Sequence, residues 1–200
     1  MSPSNPPTAP RLEPPGAGVP VIERLVGGLV VSLRRRFGSA ASIAARFEAE
    51  RRAISLLCQG QDDEALGDRV LIPRLRGLED SSRYWSVWMT LDHLRIVNEA
   101  ITGAVRELMA GRVPPGVAST AAVKPREGVG AEVAVAYESS CAGLVSLFMG
   151  GRSLRTTCRY AHPWFGPLDG SGWCVLSAMH MGIHRRQIER ILGERLRGGD

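Results

Sequence analysis

The sequence predicts an all-α protein, a bundle of four principal helices preceded by one additional helix. Apolar residues recur at helical spacing over four long stretches, no stretch of useful length alternates apolar and polar residues as a strand would, and the connections are rich in Pro and Gly. At 200 residues the chain suits one domain with a substantial core better than two.

Residues 1–20 hold more than half of the 13 prolines, a composition too poor in apolar groups to offset its ordering entropy, so a disordered tail is expected. Residues 21–38 follow as the additional helix, with Ile22, Leu25, Val26, Leu29, Val30 and Leu33 on one stripe. Gly27 and Gly28 weaken it, which leaves open a lid or a dimer contact. The bundle itself is expected over 39–197. Its first helix has Ser39 as N-cap, Ile43, Phe47, Ile54, Leu57 and Cys58 inward, and Gly60 as its stop. Residues 61–80 read as a long connection with little regular structure, interrupted by Pro73.

The longest helix is expected from a Ser81 or Ser82 cap to Gly111, with a stripe of Trp85, Met89, His93, Ile96 and Ala100. A Pro- and Gly-rich loop spans 112–129. The next helix turns Val133, Tyr137, Ser140, Cys141, Leu144 and Phe148 inward and ends at Gly150 and Gly151. A turn-rich entry, RTTCRYAHPWFGPLDGSG, leads to the last helix, with Ser171 as the expected N-cap. On that helix Trp173, Leu176, His180, His184, Gln187 and Ile191 share the stripe that faces the core.

Composition narrows the functional classes. No apolar run approaches the roughly 20 residues a membrane span needs. The apolar stretch 25–33 is preceded by Glu23 and Arg24 and followed by Arg34, Arg35 and Arg36, the reverse of the charge order of a secretory signal, so a cytoplasmic protein is expected. Cys58, Cys141, Cys158 and Cys174 form no CxxC pair and read as reduced thiols. The net charge of +5 is carried mainly by dispersed arginines, and beyond Arg34–Arg36 no motif for reading nucleic acid accompanies it.

The histidines are the most informative residues. His180 and His184 stand one turn apart on a core-facing stripe, and His93 occupies another, although the chain has only four histidines. A pair at i, i+4 also arises by chance, and a buried neutral imidazole can be satisfied by hydrogen bonds alone. Three buried imidazoles, however, each cost on the order of 1–3 kcal/mol if left unsatisfied, and one divalent cation satisfies all three. Three neutral ligands leave a coordination position open, the arrangement of a catalytic rather than a closed structural site. An all-imidazole set suits zinc, nickel or iron, and also copper. Met181 stands where an HExxH protease needs its glutamate.

WSVWMTLDHL, followed by HPWFGPLDGSGWCVLSAMHMGIHRRQIERI, resembles the DinB-like superfamily of four-helix metalloproteins, over about residues 40–195. The resemblance implies an up-down-down-up bundle, frequent homodimers, and a divalent metal held by His93, His180 and His184. It also implies, by analogy with thiol-dependent relatives such as mycothiol-dependent maleylpyruvate isomerase and bacillithiol transferases, activation of a low-molecular-weight thiol or water for transfer to a small electrophile. Tyr137 is a candidate proton donor and His162 a candidate second partner or substrate contact, each set against simple packing. Asp92 and Glu99 read as solvated surface. The competing class is a non-catalytic bundle acting by dimerisation or small-ligand binding.

Overall fold

The computed structural model describes residues 10–198. Among them six helices form: α1 (Val21–Phe37), α2 (Ala40–Cys58), α3 (Asp63–Gly67), α4 (Val87–Met109), α5 (Val133–Met149) and α6 (Gly170–Gly198). Two small antiparallel pairs accompany them, β1 (Val70–Leu71) with β2 (Tyr84–Trp85), and β3 (Tyr160–His162) with β4 (Gly166–Leu168). Strands this short carry no readable period-2 signal, which is why an all-helical chain was expected. No helix is long and apolar enough to cross a membrane.

Four helices make the bundle. α2 packs on α5 and α6, and α4 packs on the same two. Ser39 caps α2 as expected, accepting the Ser42 N–H while the Ser42 hydroxyl accepts the Ser39 N–H. Phe47 meets Phe148 across α2 and α5 at 5.6 Å between ring centroids, and Glu50 pairs with Arg185 across α2 and α6 at 2.6 Å. The inward residues expected on α5 are all buried.

Several boundaries differ from expectation for identifiable reasons. α4 starts at Val87, and Ser86 caps it by accepting the Met89 N–H at 3.1 Å. Ser81 and Ser82 instead belong to a 3₁₀ turn, Asp80–Ser82, where the Lys124 ammonium holds both hydroxyls. Tyr84 and Trp85 leave the helix because they pair with Leu71 and Val70. Along α4 the core face runs through Leu91, Leu94, Asn98, Ile101, Val105 and Leu108, leaving Ile96 half-buried and Ala100 exposed. Asp169, rather than Ser171, caps α6, accepting the Gly172 N–H at 2.9 Å.

The N-terminal segments hold the largest surprise. Residues 1–9 of the expected disordered tail lie outside the described residues, but 10–20 run along the body. There the Glu13 N–H donates to Asp80 at 2.9 Å, and Val19 is buried. α1 is amphipathic as expected but faces the other way. Its inner face carries Glu23, bound by Arg74 and the Gly77 N–H, and Arg35, forked onto Asp169 at 2.8 and 2.6 Å. Gly27 lies there too, where a methyl group would stand 3.0 Å from the Phe165 ring. Of the stripe residues, Ile22, Leu25, Val26, Leu29 and Leu33 face solvent, together with Val21 and Phe37, at 47–77% exposure.

Candidate metal centre

α4 and α6 are neighbours in the bundle, and this packing brings the three helical histidines together. His93 lies in the second turn of α4; His180 and His184 project from successive turns of α6. The His180 Nε2 stands 3.1 Å from His93 Nε2 and 3.0 Å from His184 Nε2. A tetrahedral ion with metal–nitrogen bonds of 2.0–2.1 Å separates its ligand atoms by about 3.3 Å, so a slight opening of the rings admits one. The three rings offer ligand atoms that all lie within 4.8 Å of one another, and could hold a metal ion.

The tautomers favour the same arrangement. A carbonyl only accepts, so at the 2.6 Å contact with the Val123 carbonyl the proton sits on His93 Nδ1. Gln187 donates its Nε2 to the Ser82 carbonyl at 2.7 Å, which orients the amide and leaves its Oε1 to accept from His184 Nδ1 at 2.6 Å. Neutral His93 and His184 therefore both direct Nε2 lone pairs inward, the role that outer partners play for metal-ligating imidazoles. His180 Nδ1 is enclosed without a hydrogen-bond partner among the described residues.

The surroundings exclude water on one side. Trp85 stacks on His184 with centroids 6.1 Å apart, and its centroid lies 5.1 Å from that of His93. Lys124 lies 5.4 Å from the Trp85 ring centre, and its ammonium is anchored by Glu79 at 2.6 Å. Burial pushes the His93 imidazole down to about 4, and burial followed by the neighbouring rings pushes His180 and His184 well below the ordinary histidine value. All three are neutral ligands near pH 7. His93 and His184 are buried and His180 is half-buried.

His162, on β3, stacks on Phe165 at 4.7 Å and accepts the Trp164 N–H on Nδ1 at 3.1 Å. It lies within electrostatic reach of His180, and burial lowers it to about 4. Tyr137 is buried on α5, where Cys141, Glu138 and Arg51 act on its phenol. Burial drives that phenol far above its ordinary value. Asp92, expected on the solvated surface, is fully buried and held by Arg95 at 2.9 Å and by the Arg126 backbone and side chain, whereas Glu99 is exposed as expected. The Val123 carbonyl and the orienting role of Gln187 escaped sequence reasoning. The one signal for Gln187 was its place on the core stripe one turn past His184.

No family model matches the chain, and no curated protein matches it. Among solved structures the chain is similar to TT2238, a four-helix bundle protein, with a TM-score of 0.54 and 20% identity over 76% of this chain and 98% of that one. That likeness establishes the four-helix-bundle fold.

Proposed function

We propose that the protein is a DinB-like metalloprotein in which His93, His180 and His184 hold one divalent ion, zinc, nickel or iron, next to a cleft for a small electrophile. The observation that carries this reading is the convergence of three Nε2 atoms, two with tautomers set by outer partners. When bound, the ion would supply the positive charge that acidifies a low-molecular-weight thiol or water. The chain's own part is to present neutral imidazoles, to shield them under Trp85, and to leave the His180 side accessible. His162, on the β3–β4 pair that leads into α6, is the neighbouring contact in this reading. Tyr137 stays in this reading a candidate proton donor on α5, its hydroxyl buried without a hydrogen-bond partner among the described residues.

The up-down-down-up course is supported by which residues meet. Ile43 and Arg46 line one groove with Val175 and Ala178, and Glu50 meets Arg185, so α2 and α6 run the same way. Phe47 meets Phe148 and Arg51 meets Glu138, so α2 and α5 oppose one another. Gly170 lies beside Val105 while Gln187 reaches Ser82, so α4 and α6 also oppose one another.

A homodimer through α1 belongs to the same reading. Seven outward apolar side chains of this size present area on the order of the 800 Å² that one partner of a standard interface buries, above what monomers ordinarily expose. An antiparallel pairing about Leu29 sets the arginine-rich end of each helix, Arg34–Arg36, away from its copy.

Metal analysis of untagged protein tests the central claim. One equivalent of metal per chain is expected in the wild type and under a tenth in His180→Ala and His184→Ala. With metal present, consumption of a thiol only when an electrophile is added supports transfer, and indifference to every thiol and to water-dependent turnover leaves the non-catalytic bundle.

A further inference from the structure

A cavity of about 290 Å³ lies between the segment 16–18, α1, the loop before α5 and the β3–β4 turn, and its walls include Gly18, Arg24, Ser119, Thr120 and Trp164. The other charged residues on the inner face of α1 are matched: Glu23 by Arg74 and Arg35 by Asp169. Arg24 is not. Among the described residues its guanidinium makes no hydrogen bond or ion pair, and its Nε is enclosed without a partner. Guanidinium is charged and has donors only, so one without an acceptor among the described residues leaves its outer N–H groups for water or a ligand to satisfy. The Trp164 indole is also a donor only and finds no acceptor among the described residues. It faces the same region, since a methyl group on Gly18, a residue with φ of +86°, would stand 3.6 Å from its Nε1. Among the described residues no carboxylate lines the cavity, although Glu79 accepts from two of its lining residues, the Gly16 N–H and the Thr120 hydroxyl. Glu79, behind Thr120, is already held by Lys124.

Two chain connections run from the cavity walls toward the histidine cluster. The loop carrying Ser119 and Thr120 continues to Val123, whose carbonyl accepts the His93 proton. Trp164 follows two residues after His162 and donates its backbone N–H to that ring at 3.1 Å.

We propose that this cavity binds the carboxylate of a small organic acid, held by the Nη donors of Arg24 with the Trp164 indole as a further donor. The ligand class follows from the groups: a planar, two-oxygen anion matches the guanidinium edge, and the volume sits near the lower end of small-molecule sites. As a statement about the substrate of the metal centre it rests on the reading above; as a binding site it stands alone.

The test is titration of the full chain, metal-loaded and chelator-stripped, at constant ionic strength with acetate, succinate, acetamide and inorganic phosphate, followed by calorimetry and thermal shift. Expected are millimolar or tighter binding of a carboxylate to both forms, none of acetamide, a loss of at least tenfold in Arg24→Gln, and partial retention in Arg24→Lys. Equal binding by Arg24→Gln, equal response to acetamide, or tighter binding of phosphate than of any carboxylate overturns it. Carboxylate binding that needs the metal and survives Arg24→Gln puts the anion on the ion, overturning the cavity but not the metal centre. Arg24-dependent binding in protein that takes up no metal upholds the cavity while the proposed function fails.

Discussion

A neutral imidazole has one donor and one acceptor nitrogen, and the fate of the donor decides where the acceptor points. His93 spends its proton on Val123 and His184 on Gln187, so both acceptors face His180. The histidines themselves were legible in the sequence because helical spacing sets side-chain direction within one element. Their outer partners were not: Val123 approaches from 30 residues away along the chain, and only tertiary packing brings it there. Asp92 went astray for the same reason, since its burial depends on Arg126, 34 residues on. Burial of neutral rings has a pH signature. The His93 and His162 imidazoles sit near 4 in the fold but near 6.5 in the unfolded chain, so below 6.5 the unfolded state binds more protons. Their stabilising contribution is complete above pH 6.5 and falls away as pH drops toward 4, by about 3 kcal/mol at pH 4 for a fully enclosed ring such as His93. Urea unfolding of chelator-treated protein at pH 7.5, 6 and 5 is expected to give a falling midpoint, with a shallower decline in His93→Phe. A midpoint independent of pH across this window, in both proteins, contradicts neutral enclosed rings.

At the level of elements, periodicity identified the five long helices but missed what neighbours impose on them. It also missed the five-residue α3, which lies with β1 inside the stretch 61–80 expected to be a connection with little regular structure and is too short to show a helical stripe. α2 and α5 read correctly because their stripes and glycine stops, and for α2 its Ser39 cap, lie within or beside the element itself. α4 read too long at its start because Tyr84 and Trp85 pair with a strand of two residues, an interaction with no local sequence mark. α1 is the sharpest case. Its stripe was visible, but the direction it faces depends on Arg74, Asp169 and Phe165, which hold the polar and glycine-bearing face against the body. Polar fastening leaves the apolar face turned to solvent. Leu29, at the centre of that face and 60% exposed, is expected to tolerate Leu29→Glu without loss of fold. Sedimentation velocity is expected to find a dimer for the wild type and a monomer for Leu29→Glu, with metal content unchanged. A wild-type monomer at tens of micromolar rules out the α1 interface.

At the scale of the molecule, the cluster ties two helices that meet only through tertiary packing. His93 belongs to α4 and the other two ligands to α6, so an ion shared among them binds the folded bundle and not the separate helices. Linkage then makes binding a contribution to stability: at free metal a hundredfold above the dissociation constant it amounts to about 2.7 kcal/mol. For a domain of this size that corresponds to a rise of roughly 5–10 °C in melting temperature. Removal of the ion by a chelator is expected to lower the melting temperature by that amount, and readdition of zinc or nickel to restore it. His180→Ala separates linkage from nonspecific effects of metal, because His180 is the half-buried ligand and its Nδ1 has no partner among the described residues. Truncating it removes a ligand while leaving the Val123 and Gln187 bonds of the other two in place. The variant is expected to melt near the chelated wild type and to ignore added metal. A variant that still gains several degrees from metal has its ion elsewhere, and a wild type that gains nothing has a histidine cluster held by hydrogen bonds alone.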